Sequence, residues 1–262
     1  MKRKIFIIAA AVFLVAGLTF LLYPTVVRLF SSKEMNSVVE EFKSSVQLSG
    51  VPDIEENTVY EESTSTETSE SSETETKPQG NKFTAEQSKR LYKDFYAYNC
   101  DLLENGQSSF GDPFIYEDES VSLAEYGLDS SVAGIVSAPS IDMELPLYLG
   151  ASEYNMYMGA AHLNRTSLPI GGKGTNCVIA GHTGMINAVM FDNIVNLKKG
   201  DNVYITNFWE TLSYKVRETK IIEPDDSNEI LIEKESDLVT LITCYPYGSN
   251  THRYLVICER AD

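Results

Sequence analysis

The chain has 262 residues, with 21 Lys and Arg against 38 Asp and Glu, for a net charge of −17. That length exceeds one ordinary domain of roughly 100–200 residues and argues for a single core with appendages. The charge argues against nucleic acid as a partner, because binding a polyanion needs clustered Lys and Arg to displace counterions, and no such cluster follows the first four residues.

Lys2, Arg3 and Lys4 precede an uncharged apolar run over residues 5–22. As helix it is about 27 Å long, close to the hydrocarbon thickness of a bilayer. A cleaved signal peptide would carry an apolar region of about 7–15 residues and a small-residue cleavage site, whereas Leu21, Leu22, Tyr23 and Pro24 follow here. Residues 1–24 therefore read as a cytoplasmic stub and single-pass transmembrane anchor, with everything after Pro24 outside the cell.

Residues 25–54 form a membrane-proximal segment in which Met35, Val38, Val39, Phe42 and Val46 recur at helical spacing. That pattern predicts a short amphipathic helix just outside the membrane. Residues 55–76 hold eight Glu and eleven Ser or Thr, with Val59 and Tyr60 the only apolar side chains. Such a stretch cannot bury enough surface to offset its chain entropy. Residues 55–82 are thus expected to be an acidic, disordered spacer, with Pro78, Gln79, Gly80 and Asn81 marking its end.

The folded domain is expected over residues 83–262, long enough to bury a substantial core. It opens with a helical pattern through Leu91, Phe95, Tyr98 and Leu102, for which Thr84 is the N-cap and Gln87 its capping-box partner. After Gly127, short runs rich in β-branched and aromatic residues take over, at 133–136, 145–149, 177–180, 202–206, 212–216, 239–243 and 254–258. Many short strands separated by Gly, Pro, Asn and Asp favour a barrel or sandwich, so the fold class is mainly β.

Cys100, Cys177, Cys244 and Cys258 match neither a dense disulfide framework nor a CxxC metal site. Their pairing is not deducible from sequence; with one of them a nucleophile, at most one bridge remains. The run Gly171-Gly172-Lys173-Gly174-Thr175 has the residues of a phosphate loop without its spacing and reads as a turn. No metal or organic cofactor is called for.

Chemistry concentrates in three segments: Val178-Ile179-Ala180-Gly181-His182-Thr183-Gly184, Thr240-Leu241-Ile242-Thr243-Cys244-Tyr245-Pro246 and Asn250-Thr251-His252-Arg253-Tyr254. Attack of a cysteine on a carbonyl needs a thiolate, a group that moves protons, and positive charge where the oxyanion develops. Cys244, His182 and Arg253 supply one of each. His162 and His252 are the other candidate bases.

The segment ending in Thr243-Cys244, followed nine residues later by Arg253, resembles the active-site strand and arginine of the sortase family. Ile179-Ala180-Gly181-His182-Thr183 resembles the sortase histidine segment. Leu21-Leu22-Tyr23-Pro24-Thr25, Tyr98-Asn99, Leu145-Pro146-Leu147-Tyr148, Thr166-Ser167-Leu168-Pro169 and Glu223-Pro224-Asp225-Asp226 are similar to the pilin-polymerising class C sortases. So is Asp112-Pro113-Phe114, which stands where those enzymes carry a lid, here near 108–118.

The resemblance implies a sortase-like eight-stranded β-barrel with N-terminal helices and a lid loop, preceded by one transmembrane helix. It implies a cysteine transpeptidase that cleaves an LPXTG-like sorting signal and joins the acyl group to an amine. Cys244 would be the nucleophile, His182 the acid/base, Arg253 the oxyanion stabiliser with support from Thr243, and Asp112, Pro113 and Phe114 the lid. The implied partners are a pilin or other surface protein bearing the signal, and a pilin lysine as acceptor. A cell-wall cross-bridge amine is the alternative acceptor, and a catalytically inactive, surface-tethered binding module is the alternative of a different class.

Overall fold

The computed structural model describes residues 2–46, 50–52, 83–107, 121–185 and 188–261. The acidic stretch 55–82 and the lid tripeptide Asp112, Pro113 and Phe114 lie outside the described residues.

The expected anchor and amphipathic segment are a single helix, α1 (Lys2–Ser45), with Pro24 inside it. Pro24 removes one backbone donor, a loss that a membrane-spanning helix tolerates. From Val12 onward α1 is long and apolar enough to cross a membrane, and the apolar window has no protein cover. Its outer half is different: Met35, Val39 and Phe42 are buried against the rest of the protein.

The predicted capping box is present at α2 (Ala85–Asn105). Gln87 N–H donates to Thr84 Oγ1 at 3.2 Å, and Thr84 N–H donates to Gln87 Oε1 at 2.8 Å. Leu91, Tyr92 and Phe95 of α2 share a buried cluster with Val39 and Phe42 of α1 and with Phe208 and Trp209. Trp209 is edge-on to Tyr92 at 4.8 Å between ring centroids, and its Nε1–H donates to Ser88 Oγ. Both helices are thereby fixed to one end of the β structure.

That structure has strands β1 (Val132–Ala138), β2 (Met143–Leu149), β3 (Ala160–His162), β4 (Thr175–Ala180), β5 (Asn202–Thr206), β6 (Thr211–Ile222), β7 (Asp237–Tyr245) and β8 (His252–Arg260), with a short helix α3 (Glu153–Met158) after β2. They close into a barrel in the order β1-β2-β3-β4-β7-β8-β6-β5. The pairs β2–β3 and β4–β7 are parallel and the others antiparallel. Closure leaves no unpaired strand edge. The strand that the sequence pattern passes over is β3, because three residues are too few to display an alternation.

Alternate side chains of every strand point inward. Val136, Leu147, Ala160, Ile179, Val203, Leu212, Leu241 and Val256 meet in the barrel interior. The opposite face of β4, β7 and β8 carries Val178, Ala180, Leu238, Ile242, Leu255 and Ile257, which pack beneath Met156 of α3 and Ile230 of the β6–β7 connection. This outer wall leads to the candidate site.

Candidate active site

Cys244 and Arg253 are direct partners in the antiparallel β7–β8 register, at the C-terminal end of β7 and the start of β8. Directly opposed residues project from the same face of a sheet. Period-2 alternation sets Cys244 with Leu238 and Ile242, and Arg253 with Leu255 and Ile257, so both belong to the outer wall.

The histidine arrives from the neighbouring strand. In the parallel β4–β7 pair, Ile179 stands opposite Leu241 and Ala180 opposite Ile242. The pairing runs on past the end of β4: Gly181 N–H donates to Ile242 O at 3.2 Å, and Thr243 Oγ1 donates to Gly181 O at 2.6 Å. The same offset brings His182 level with Cys244. Three strand ends thus bring the three candidate residues to one rim of the barrel.

Gly181 has a steric reason to lack a side chain. A Cβ there would stand 2.5 Å from Cγ of Phe191, a ring wholly buried in the barrel interior. Phe191 N–H in turn donates to His182 O at 2.9 Å, closing the loop that follows the histidine. Asp192 holds that loop from within, accepting from Gly184 N–H at 2.9 Å and from Met190 N–H at 3.2 Å. Gly184 takes a φ of 78°, a left-handed conformation suited to glycine.

Arg253 is only 3% exposed. Its Nη1 donates to Asn250 O at 2.9 Å and to His252 O at 3.0 Å, so two backbone carbonyls hold that arm of the guanidinium. Burying a cation is costly unless it is well solvated by such acceptors. Cys244 and His182 are half-buried. Burial pushes the His182 imidazolium below its ordinary range, so the neutral ring is favoured at neutral pH.

Thr243 faces the barrel interior and is buried, its hydroxyl engaged by Gly181 O rather than turned toward Cys244. In this geometry it ties the cysteine strand to the histidine strand.

His162 is wholly buried on β3, with Nε2 3.2 Å from Thr166 O and 3.1 Å from Ser167 O. Nδ1 has no hydrogen-bond partner, and burial lowers the pKa to about 4. Such a ring is a neutral structural element. His252 stands 3.4 Å from Glu223 and 3.0 Å from Thr251 Oγ1.

The four cysteines form no disulfide. Burial pushes the thiols of Cys177 and Cys258 up, the latter to about 12, which leaves both inert. No group of metal-binding side chains occurs among the described residues. The glycine-rich run is a turn stapled to a carboxylate, since Gly172 N–H donates to Asp237 Oδ2 at 2.8 Å, an arrangement that would repel phosphate.

Sequence reading passed over Asp192 and the Gly181–Phe191 contact. Asp192 acts through the backbone N–H groups of Gly184 and Met190, which carry no residue code. Gly181–Phe191 carries no local signal, since the ring is ten residues away.

A family model described as the sortase domain matches residues 136–261. Sortase C-1 of Streptococcus pneumoniae is 41% identical, with 68% of this chain and 92% of that chain covered at a TM-score of 0.60. A pilus-related sortase C of Group B Streptococcus is 37% identical, with 69% and 92% covered at a TM-score of 0.62. Sortase A of Bacillus anthracis is 34% identical over 143 residues, 54% of this chain and 66% of that protein. A Listeria monocytogenes sortase A is matched over 59% of its length, so the chain spans less than two thirds of either curated relative. With a closed eight-stranded barrel, a family match over most of its strands and similarity to class C structures across nine tenths of their length, the chain belongs to the sortase family.

Proposed function

We propose that the chain is a membrane-anchored cysteine transpeptidase of the class C type, acting on an LPXTG-like sorting signal. The observation that carries the reading is the register itself: Cys244 opposite Arg253, with His182 brought level by the β4–β7 pairing. Sortase membership supports the reaction class, and similarity to the pilus-related sortase C of Group B Streptococcus supports a pilin lysine as acceptor.

In this mechanism Sγ of Cys244 attacks the carbonyl carbon of the Thr-Gly bond while the neutral His182 ring takes the thiol proton. The oxygen gains negative charge beside the Arg253 guanidinium, a fixed cation in a partly dry site. The C–N bond then breaks, His182 passes the proton to the departing nitrogen, and a thioester remains on Cys244. An incoming amine attacks the thioester, gives up a proton through His182, and leaves an amide bond and a restored thiol. Asp112, Pro113 and Phe114, by their resemblance to the class C lid, are assigned the gating of access to Cys244.

The basic residues Lys2, Arg3 and Lys4 keep the N-terminus in the cytoplasm, so α1 delivers the barrel to the extracellular face. The test is mass spectrometry of the full chain in nanodiscs incubated with an LPXTG peptide. A peptide-sized adduct that disappears in Cys244→Ala, and increases in Asp112→Ala/Phe114→Ala, supports nucleophile and lid together. Equal adduct with and without the lid residues removes the gate, and no adduct with any sorting peptide overturns the transpeptidase. Competition between a pilin lysine and a cross-bridge amine assigns the acceptor.

A further inference from the structure

Ile230, in the connection between β6 and β7, is wholly buried and belongs to the outer-wall cluster with Leu238, Ile242 and Leu255. Thr240 and Ile242 share the face of β7 that bears Cys244. The connection therefore forms one side of the wall that leads to the thiol.

Five successive residues of this connection are fastened. Glu229 pairs with Lys220. Asn176 Nδ2 donates to Ile230 O at 3.0 Å and to Leu231 O at 3.3 Å, while Asn176 Oδ1 accepts from Thr240 Oγ1 at 2.9 Å. The two Nη groups of Arg217 donate to the Glu233 carboxylate at 2.9 and 2.6 Å. Those four are held by side chains of β4 and β6. Ile232 is held from outside the barrel, since its N–H donates to Gln107 Oε1 at 2.7 Å.

Gln107 stands just past the end of α2, after Gly106, whose φ of 81° is a left-handed conformation suited to glycine. Its Nε2 donates to Arg165 O at 3.0 Å, in the connection between β3 and β4. Arg165 takes a φ of 62°, which a non-glycine residue keeps only where its surroundings impose it. Here both of its backbone groups are engaged, because its N–H donates to Tyr98 Oη of α2 at 3.1 Å. Next to Tyr98, the buried Asn99 exchanges two hydrogen bonds with the backbone of Leu168, at 3.2 and 2.7 Å. One side-chain amide thus bridges the two connections that feed β4 and β7, the strands leading to His182 and Cys244.

We propose that Gln107 is a positioning residue for the peptide substrate. It fixes the β6–β7 connection along the outer wall before the peptide arrives, so binding has no loop to order there. Its contribution belongs to peptide affinity and not to the chemistry at Cys244. The proposal rests on the transpeptidase reading and extends it from the strand ends to the helix that precedes the barrel.

The test uses the full chain in nanodiscs with an LPXTG peptide. Gln107→Leu removes both bonds, whereas Gln107→Glu keeps an acceptor for Ile232 N–H and loses the donor to Arg165 O. Each variant is followed by peptide-cleavage kinetics, by alkylation of Cys244 with iodoacetamide, and by hydrogen exchange across residues 228–236. Gln107→Leu should raise KM severalfold and quicken exchange, with kcat and the alkylation rate unchanged; Gln107→Glu should stay nearer the wild type in KM and in exchange. Gln107→Ser, too short to make either bond, replaces Gln107→Leu where that variant does not fold. An unchanged KM, an unchanged exchange rate, or a loss confined to kcat overturns the proposal. A wild type that takes up iodoacetamide at Cys244 but never cleaves a sorting peptide overturns the transpeptidase reading itself, and the proposal with it.

Discussion

Cys244 and Arg253 face each other across the β7–β8 ladder, so the candidate nucleophile and the only cation buried in the outer wall among the described residues are one register step in a sheet. A pair fixed by backbone hydrogen bonds needs no loop ordering before reaction. Arg253→Lys keeps the charge but loses the planar guanidinium whose Nη1 donates to Asn250 O and His252 O. The expected cost is about 10²-fold in kcat, the scale for losing one oxyanion donor. Peptide-cleavage kinetics beside a near-wild-type circular dichroism spectrum would show it; an unchanged kcat would remove Arg253 from the mechanism.

Thr243→Val exchanges a hydroxyl for a methyl of similar size and breaks the 2.6 Å bond to Gly181 O. The carbonyl is left without that donor, at a cost of about 1–3 kcal/mol. Because the bond ties the strand of Cys244 to that of His182, kcat should fall by more than KM changes. A variant that loses stability with kcat intact would show the bond to be purely structural.

Gly181→Ala places a methyl inside the Phe191 ring. Overpacking of this kind costs about 1–3 kcal/mol, and here the strain is delivered one residue before His182. Thermal unfolding should shift down, and Gly181→Ala/Phe191→Leu should recover part of the loss by opening space. No recovery in the double variant would mean that the ring is not the obstacle.

His162 predicts an acid limb in stability. Its pKa is about 4 when folded against 6.5 as the ordinary value. Above 6.5 both states are neutral and stability is complete; between 6.5 and 4 only the unfolded chain takes up the proton, so stability falls as pH falls. The full loss is about 3 kcal/mol. Urea midpoints followed by Trp209 fluorescence at pH 7 and pH 4.5 should differ more in the wild type than in His162→Gln.

Much of this was legible in the sequence because the signals were local. The Thr84–Gln87 box needs four residues, the β strands on both sides of Cys244 show clear apolar runs, and the apolar N-terminal stretch is continuous. The convergence of Cys244, His182 and Arg253 needed more than composition, since their meeting depends on the parallel β4–β7 register across 62 residues of chain. β3 and the loop clasp of Asp192 were illegible for opposite reasons: one is too short to have a period, and the other acts through backbone groups that carry no residue code. The outer half of α1 showed its apolar stripe in sequence, yet nothing local announces that it continues the membrane helix without a break.

The shared cluster of Val39 and Phe42 with Leu91 and Phe95 has a further consequence. The acidic stretch begins and ends on the same body, so it is a detour in the chain and not a leash. Its length does not set how far the barrel stands from the apolar part of α1. Loop closure costs only about 0.6 kcal/mol per doubling of length, so the segment is open to evolutionary growth, trimming and change of charge with little effect on folding. The height of the barrel above the apolar run is then set by α1 alone, a mast of fixed height whose outer half is packed on the rest of the protein.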